Sequence, residues 1–403
     1  MRLLPLLLLL LAACTSANPS ETSRPGPDFP PNPEGAAFDA DRAFLRSHDS
    51  ALVTLASGRA ALVASAKYQG KVFTSTATGE ESFGYLDYDA LEAVAPDPHI
   101  NGYGGENRLW IGPEGGPLSV FFAADVPFTP DDWYVPAAID REPWDLVSAD
   151  SASVVFAKAG QAQSRRGTRF DFRLDREVRL LPAGDIAAGF GVSLPTDVQA
   201  VAYRTDNALT NTGTAAWTRE TGTLCLWALD MLPASDSAVV IYPLAAGTTL
   251  ADVRPYFGEM DARHRQVRNG TLLFRGDGSF RSKVGLSPKH ATGRGGSLDL
   301  AAGTLTVIDY DLDRAGTYLG MEWEELSDPY AGDAATTYND PGPATFYELE
   351  SIGEAAFLTP GQRAAHRHDV YHFTGPRAQL LALAEELLGV SEAEVLAFLG
   401  GRD

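Results

Sequence analysis

The stretch from Thr168 to Leu180 alternates between two kinds of side chain along most of its length. One face carries the apolar residues Phe170, Phe172, Leu174, Val178 and Leu180. The other face carries the charged residues Arg169, Asp171, Arg173, Asp175, Glu177 and Arg179. Because successive side chains of a β-strand point to opposite faces, the pattern predicts a long strand with one buried face.

Shorter patterns of the same kind predict further strands along the chain. These strands cover residues 51–57, 60–66, 70–76, 107–112, 117–123, 152–158, 198–206, 223–230, 237–243, 269–276, 297–309, 344–350 and 368–374. Turn clusters separate several of them, and the 39 Gly and 26 Pro suit a turn-rich β protein. The sequence shows neither a βαβ alternation nor an internal repeat. We therefore expect an all-β chain, built as a sandwich or a barrel.

Helical spacing of apolar residues occurs near the two ends of the chain. Residues 38–48 predict a short N-terminal helix, and residues 377–389 and 392–399 predict two C-terminal helices. We expect residues 376–403 to form a small helical appendage, packed through its apolar stripe on a β-domain of residues 37–375. A partner-binding pair of helices is the alternative for this appendage.

The charge balance of the chain limits its partners. Lys and Arg total 32, Asp and Glu total 53, and the formal net charge is -21. A protein that binds nucleic acid needs basic patches, because these displace counterions from the phosphates. Nucleic acid is therefore not an expected partner.

The first residues of the chain predict export. Residues 1–13 combine Arg2 with a short leucine-rich run and two alanines, which is typical of a signal peptide. The segment that ends at Cys14 resembles the bacterial lipobox, which implies lipidation of this cysteine and a membrane contact through the lipid anchor alone. Residues 14–36 are rich in Pro, Ser and Thr and predict a disordered linker. The expected product is an exported lipoprotein of the outer membrane, on its periplasmic or surface face. A plain signal peptide is the alternative.

Three segments are dense in groups that bind polyols. In residues 101–122, glycines flank a predicted strand with Asn107, Arg108 and Trp110, and Glu114 follows it. Glycine lets the backbone approach a ligand closely. Asn and Arg donate hydrogen bonds to hydroxyls, and Trp offers an apolar face to the C–H face of a sugar. A hairpin with a tight glycine turn is the alternative.

The second segment, residues 318–340, mixes aromatic rings with carboxylates and amides. Its candidate binding residues are Trp323, Asp333 and Asn339. Long loops with such side chains are more often functional than not, although the same mixture also occurs in ordinary polar loops.

The third segment, residues 344–373, holds candidate catalytic residues. Glu348 and Glu350 would share one face of a strand, and paired carboxylates can divide into acid and base roles. His366 and His368 would also share a face, which is compatible with a metal site. No third ligand is identifiable from the sequence, so we expect neither a metal nor another cofactor.

Taken together, these segments resemble the galactose mutarotase-like superfamily, and within it a group of uncharacterised bacterial lipoproteins. The resemblance runs from about Leu52 to Phe373. Its strongest pieces are GGENRLWIGPEGG at 104–116, YRTDNALTNTG at 203–213, YNDPGPATFYELES at 338–351 and LTPGQ at 358–362. The resemblance implies a large antiparallel β-supersandwich with a sugar cleft on one concave face.

The resemblance also assigns roles to residues. An Asn–Arg pair holds the sugar in the epimerases of this superfamily, and Asn107 and Arg108 match that pair. A glutamate on a late strand is their general base, and Glu350 or Glu348 is similar to it.

The chain departs from the epimerases at their general acid, which is a histidine on a central strand. The corresponding segment, Gly222–Asp230, contains no histidine, and Trp227 there favours stacking against a sugar. Loss of one partner of an acid–base pair costs about 10²–10⁴-fold in rate. Another acid could replace it, for example His290, His366 or His368 arriving from a loop.

Three hypotheses follow from the sequence. The chain is a sugar-active enzyme of the epimerase type, a non-catalytic carbohydrate-binding lipoprotein, or an interaction protein that has only inherited the scaffold. The first two predict a sugar or glycan as the ligand. The sequence makes no prediction of the oligomeric state.

Overall fold

The structure, a computed structural model, describes residues 37–93, 95–342 and 345–400. The signal peptide predicted at residues 1–13, the lipidation of Cys14 and the linker predicted at 14–36 all lie outside the described residues.

The described residues form nineteen strands and six α-helices. In chain order, strands β1 to β19 are Val53–Ser57, Ala60–Ser65, Lys71–Thr76, Arg108–Gly112, Asp145–Ala149, Ser153–Gln163, Arg169–Leu180, Gln199–Asn211, Cys225–Pro233, Ala238–Pro243, Val253–Pro255, Arg265–Arg268, Thr271–Arg275, Ser282–Leu286, Arg294–Asp299, Thr304–Tyr310, Ala335–Asp340, Phe346–Ile352 and Arg363–Thr374. Helices α1 to α6 are Ala37–His48, Tyr88–Glu92, Ala137–Asp140, Ala183–Phe190, Arg377–Leu388 and Glu392–Gly400.

The strands pair into three antiparallel sheets. A ten-stranded sheet has the order β12-β13-β10-β15-β16-β19-β8-β7-β6-β5, and a six-stranded sheet has the order β11-β14-β17-β18-β9-β4. A small third sheet has the order β1-β2-β3. The all-β class and the large antiparallel sandwich predicted from the sequence are confirmed.

The alternating stretch forms β7, in the interior of the ten-stranded sheet. Phe172 and Leu174 on β7 are fully buried, in one cluster with Leu226 of β9 and Leu349 of β18. Polar contacts also join the layers, since the hydroxyls of Tyr347 on β18 and Ser297 on β15 lie 2.8 Å apart. The main core therefore lies between the two large sheets.

Two sequence-based strand predictions are wrong in detail. Residues 117–123 form turns and an isolated bridge rather than a strand. The sequence predicts one strand over residues 297–309, but β15 and β16 form an antiparallel pair there, with Asp299 opposite Thr304. The Gly303 turn between them has a positive φ of 63°, which glycine adopts without a Cβ clash.

The outer face of the ten-stranded sheet is covered by helices. Ala202 of β8 and Phe373 of β19 belong to one buried cluster with Leu380 and Leu388 of α5 and Phe398 of α6. The C-terminal helices thus pack on the sandwich through apolar side chains, as the sequence predicted. None of the helices in the described part of the chain has the length and apolar composition that a membrane span requires.

Candidate functional site

The six-stranded sheet has one face toward the core and one face toward a cleft. Leu349 and Ser351 of β18 face the core, because Ser351 contacts histidines of β19. Glu348 and Glu350 are offset by one residue from these positions and therefore point to the opposite face. On that face lies a cleft of about 430 Å³.

Aromatic and charged side chains dominate the lining of the cleft. The aromatic members are Tyr85, Trp110, Trp133, Trp227, Phe257, Trp323, Tyr338 and Phe346. The charged members are Asp87, Arg108, Glu114, Arg281, Lys283, Asp340 and Glu348. A largely apolar cleft with a few convergent polar groups is the usual form of a small-molecule site.

An ion pair between Arg108 and Glu348 brings together the two distant segments that the sequence singled out. Arg108 Nη2 lies 2.6 Å from Glu348 Oε1, and the side chains are only 8% and 6% exposed. The strands that carry them, β4 and β18, flank β9 on either side. The Arg108 guanidinium also lies 4.1 Å from the ring centroid of Trp110. Both charged groups are therefore fixed in position by their neighbours.

Burial raises the pKa of the Glu348 carboxyl to about 7, although the charge of Arg108 opposes this rise. The negative charge of Glu350 contributes to the same upward shift. A carboxyl with a pKa near neutrality is suited to accept or donate a proton at physiological pH.

Glu350 lies on the same face of β18 but does not line the cleft. Its side chain is fully buried, and its Oε2 lies 3.0 Å from Lys283 Nζ. The same oxygen accepts hydrogen bonds from Trp227 Nε1, at 2.8 Å, and from the Thr336 hydroxyl. Glu350 therefore balances the charge of Lys283 from behind the cleft surface.

Lys283, which sits on β14, carries a positive charge into the cleft. Burial lowers the pKa of this amine, but the nearby carboxylates of Glu350 and Glu114 outweigh burial and raise the pKa above its ordinary value. Lys283 Nζ also lies 4.7 Å from the ring centroid of Trp227. The amine therefore stays protonated at neutral pH.

Glu114 and Trp323 form a wall of the cleft. The Trp323 ring packs edge-on against Phe122, with centroids 5.1 Å apart, and lies 5.7 Å from the Trp133 centroid. The Glu114 carboxylate is hydrogen-bonded by the Trp323 side chain, and burial raises the Glu114 pKa against the opposing charge of Lys283. An aromatic face and a carboxyl are thus held side by side.

Asn107, His366 and His368 lie in the interior between the two large sheets, away from the cleft. Asn107 Nδ2 donates to Asp230 Oδ1 at 2.5 Å, and His368 Nε2 lies 2.8 Å from Asp230 Oδ2. The Ser351 hydroxyl lies 2.7 Å from a ring nitrogen of each histidine. Asn107 and Arg108 are adjacent in sequence, so the alternation of the backbone directs them to opposite faces of the sheet.

The interior position affects the protonation of the His366 ring. Burial and the neighbouring His368 lower the pKa of His366 to about 3, so its ring is neutral at ordinary pH. In the described part of the chain, no group of three or more His, Cys, Asp or Glu side chains could hold a metal ion.

The other sequence-based candidates lie outside the lining. Asp333 accepts a hydrogen bond from the Tyr256 hydroxyl at 3.0 Å, and burial raises its pKa to about 6 against the charge of Arg254. Asn339 braces a turn, because its amide accepts from Gly278 N at 2.8 Å and donates to the Phe280 carbonyl at 2.9 Å. His290 contacts Thr248 instead, at 3.1 Å.

The sequence reasoning missed several residues that line the cleft. Lys283 and Arg281 belong to β14 and its edge, which no sequence pattern indicated, and Tyr85 and Asp87 come from a loop before α2. The sequence did offer one signal for this part of the cleft, which is Lys283 inside the short run Ser282–Leu286. A lysine that is buried needs a charged partner, so it indicates a carboxylate nearby.

Comparison with solved structures returns matches with low sequence identity and TM-scores below 0.5. The Slr1438 protein from Synechocystis sp. PCC 6803 is 11% identical, with a TM-score of 0.47, over 81% of this chain and 96% of that one. A galactose mutarotase-like protein from Lactobacillus casei ATCC 334 is 10% identical, with a TM-score of 0.45, over 80% and 99%. A galactose mutarotase related enzyme from Lactobacillus acidophilus is 10% identical, with a TM-score of 0.43, over 81% and 97%.

A search of curated proteins returns no match. At the level of sequence families, the match spans residues 36–399, and the chain belongs to the family of unknown function DUF6786.

Proposed function

We propose that the cleft binds a carbohydrate and that Glu348 accepts a proton from it in a ring opening of the aldose-epimerase type. The observation that carries the proposal is the buried Arg108–Glu348 ion pair, 2.6 Å long, in the lining of a cleft rich in aromatic rings.

The lining suits a sugar for two reasons. Trp110, Trp227 and Trp323 present apolar ring surface, against which the C–H face of a pyranose packs. The guanidinium of Arg108 and the carboxylates beside it offer charged donors and acceptors for vicinal hydroxyls. A volume of about 430 Å³ accommodates a monosaccharide or a short glycan end.

The proposed chemistry begins at the anomeric hydroxyl. The ionised Glu348 removes the O1 proton, the C1–O1 bond becomes a carbonyl, and the C1–O5 bond breaks as O5 takes up a proton. Rotation about C1–C2 and closure on the other face give the second anomer. A base whose pKa lies near the working pH is most effective in such a step, and the pKa of Glu348 is about 7.

Exposure to the cleft favours Glu348 over Glu350 as the base. Glu348 lines the cleft, whereas Glu350 is fully buried against Lys283, Trp227 and Thr336. A general base must lie within hydrogen-bond reach of the proton that it removes. Glu350 is therefore assigned to the electrostatic support of Lys283.

A second candidate function is carbohydrate binding without catalysis. The observation that favours it is that no histidine is among the residues that line the cleft in the described part of the chain. The aromatic lining and Arg108 would serve binding equally well in this case.

The two candidates are separated by the interconversion rate of sugar anomers. We expect the purified protein to accelerate the mutarotation of freshly dissolved aldohexoses above the buffer rate, measured by polarimetry and by NMR exchange between the anomeric signals. If calorimetry detects sugar binding but no aldose tested mutarotates faster than in buffer, carbohydrate binding without catalysis is the function. If the protein neither binds a sugar nor accelerates mutarotation, both candidate functions are wrong.

Arg108→Ala is expected to weaken sugar binding by about 10- to 100-fold, because hydrogen bonds to charged groups contribute about 1.5–3 kcal/mol. Calorimetric titration measures the change. Arg219→Ala is a matched control, since Arg219 lies over an aromatic ring outside the cleft, 4.7 Å from the Tyr330 centroid. Equal loss in both variants, or unchanged binding in Arg108→Ala, would contradict the assignment.

We propose further that the protein is exported and anchored in the outer membrane through Cys14, which the N-terminal sequence supports. In a bacterial host, Cys14→Ser is expected to move the protein from the membrane fraction to the soluble exported fraction, as immunoblots of fractionated cells would reveal. A wild-type protein that is already soluble would contradict the anchor.

A further inference from the structure

We infer that the cleft takes the reducing end of an oligosaccharide rather than a free monosaccharide, and that a row of three aromatic rings binds the sugar units that follow the reducing one. This inference rests on the proposed function, because it names the substrate class of the same cleft. The rings of this outer aromatic row belong to Phe346 of β18, Tyr338 of β17 and Phe257, which comes just after β11.

The outer aromatic row is continuous. The ring centroids of Phe346 and Tyr338 lie 6.0 Å apart, and those of Tyr338 and Phe257 lie 6.1 Å apart. Both distances are typical of aromatic rings in contact, so the row presents one unbroken apolar surface. Phe257 is 36% exposed, and Tyr338 and Phe346 are half-buried. A contiguous exposed apolar surface with charged groups at its rim is typical of a binding site.

The outer aromatic row starts beside the proposed base. Tyr338 lies directly opposite Glu348 in the pairing of β17 with β18. Cross-strand partners of this kind have Cβ atoms about 4.5–5.5 Å apart. Phe346 precedes Glu348 by two residues on β18 and therefore points to the same face. A sugar at Glu348 is thus the immediate neighbour of the row.

The cleft is longer than one sugar. Phe346 and Ile352 are the two ends of β18, which has seven residues, and Trp227 of β9 lies opposite Ile352. At about 3.3 Å per residue, the levels of Trp227 and Phe346 are about 20 Å apart along the strand. A single pyranose ring, which is similar in size to a phenyl ring, cannot cover this length. A ring between Trp227 and Glu348 leaves the outer aromatic row for the next units of a chain.

The proposed ring opening fixes the direction of the chain. Only the reducing end of a glycan has a free anomeric hydroxyl, so the reducing unit must lie at Glu348. The next unit then lies over Tyr338, and the chain continues toward Phe257. The strand before Phe257, β11, is an edge strand of the six-stranded sheet, so the chain leaves the cleft at the edge of that sheet.

Arg281 supplies hydrogen-bond donors beside the outer aromatic row. Its guanidinium lies 4.0 Å from the ring centroid of Phe257, and its Nε donates to the Tyr338 hydroxyl at 3.4 Å. A guanidinium has five N–H donors, so others can donate to sugar hydroxyls. The carboxylate of Asp340, opposite Phe346 in the strand pairing, offers acceptors. Because the two charges are opposite, a neutral glycan fits this rim better than a charged one.

The test compares calorimetric affinities for a monosaccharide and for a tetrasaccharide of the same sugar. The probes are glucose with maltotetraose, cellotetraose and laminaritetraose, and mannose and galactose with their β-1,4-linked tetraoses. We expect at least one tetraose to bind about 10-fold or more tightly than its monosaccharide, because the added units bury apolar ring surface. The reducing end of that tetraose should also mutarotate with a higher kcat/KM than the monosaccharide, measured by NMR exchange.

Phe257→Ala is expected to reduce this gain in affinity with chain length to less than about 3-fold, because it removes the apolar surface under the later units. Phe257→Trp, which provides an aromatic ring again, should recover the gain. Phe357→Ala is the matched control. Phe357 is also 36% exposed and also has an arginine near its ring, Arg219 at 5.3 Å, but it does not line the cleft. The control should keep the wild-type gain.

The possible failures separate this inference from the proposed function. If the monosaccharides bind and mutarotate but no tetraose binds more tightly, the inference is wrong and the proposed function stands. If Phe257→Ala keeps the full gain with chain length, the outer aromatic row is not where the added units bind, and the inference is again wrong. If neither the monosaccharides nor the tetraoses bind, the proposed function is wrong and this inference with it.

Discussion

Replacement of Asp230 by alanine is expected to lower the free energy of unfolding by about 2–6 kcal/mol, because each of two buried hydrogen-bonding partners left unsatisfied costs about 1–3 kcal/mol. Asp230 lies on β9 of the six-stranded sheet and is fully buried. It accepts from Asn107 at 2.5 Å and lies 2.8 Å from His368 of the ten-stranded sheet. Its loss would leave both partners without their acceptor and would weaken the contact between the two layers.

Urea denaturation followed by tryptophan fluorescence would measure this loss. Asp175→Ala is the comparison, because Asp175 is a partly exposed aspartate of β7 whose ion pair with Arg173 is 2.8 Å long. Such surface pairs contribute about 0–1 kcal/mol. If Asp230→Ala were no more destabilising than Asp175→Ala, the interior polar network would not be what joins the layers.

Much of the fold could be predicted from the sequence where one face of a strand is apolar. Strand β7 shows this clearly, since its charged face is exposed or half-buried and its apolar face is buried. Strands β14 and β17 gave no such signal. Both of their faces are largely buried, and polar residues such as Lys283 and Thr336 occupy the cleft side, so no alternation of polar and apolar residues results.

The site was predicted in part, because sequence reasoning found residue types but not their directions. Arg108, Trp110, Glu114 and Glu348 all line the cleft. The resemblance groups Asn107 with Arg108, but Asn107 directly precedes β4, and successive residues of an extended backbone point to opposite faces.

Arg176 was the overlooked signal of the interior network. It is a charged residue on the apolar face of β7, fully buried, and it donates to Asn107 and to Asn207. A cation at that position of the alternation indicates a polar network in the core, since a buried guanidinium must be hydrogen-bonded.

Glu348→Gln is expected to reduce the mutarotation rate by about 10²–10⁴-fold, because the amide cannot accept the anomeric proton. Since the folded pKa of Glu348 is raised to about 7, its carboxyl is protonated and inactive below that pH. The wild-type kcat/KM should therefore rise with pH through about 7, and this rise should be absent in the variant. Stopped-flow polarimetry across the pH range measures both effects.

Glu350→Gln is the partner experiment, because it alters the carboxyl behind the cleft instead of the one that lines it. Its loss leaves the buried Lys283 without its carboxylate, 3.0 Å away in the wild type, so a destabilisation of about 3–5 kcal/mol is expected. The rate per folded molecule should fall far less than in Glu348→Gln. The opposite result, a stable and inactive Glu350→Gln beside an active Glu348→Gln, would make Glu350 the base. In that case the sugar would have to displace Lys283 to reach it.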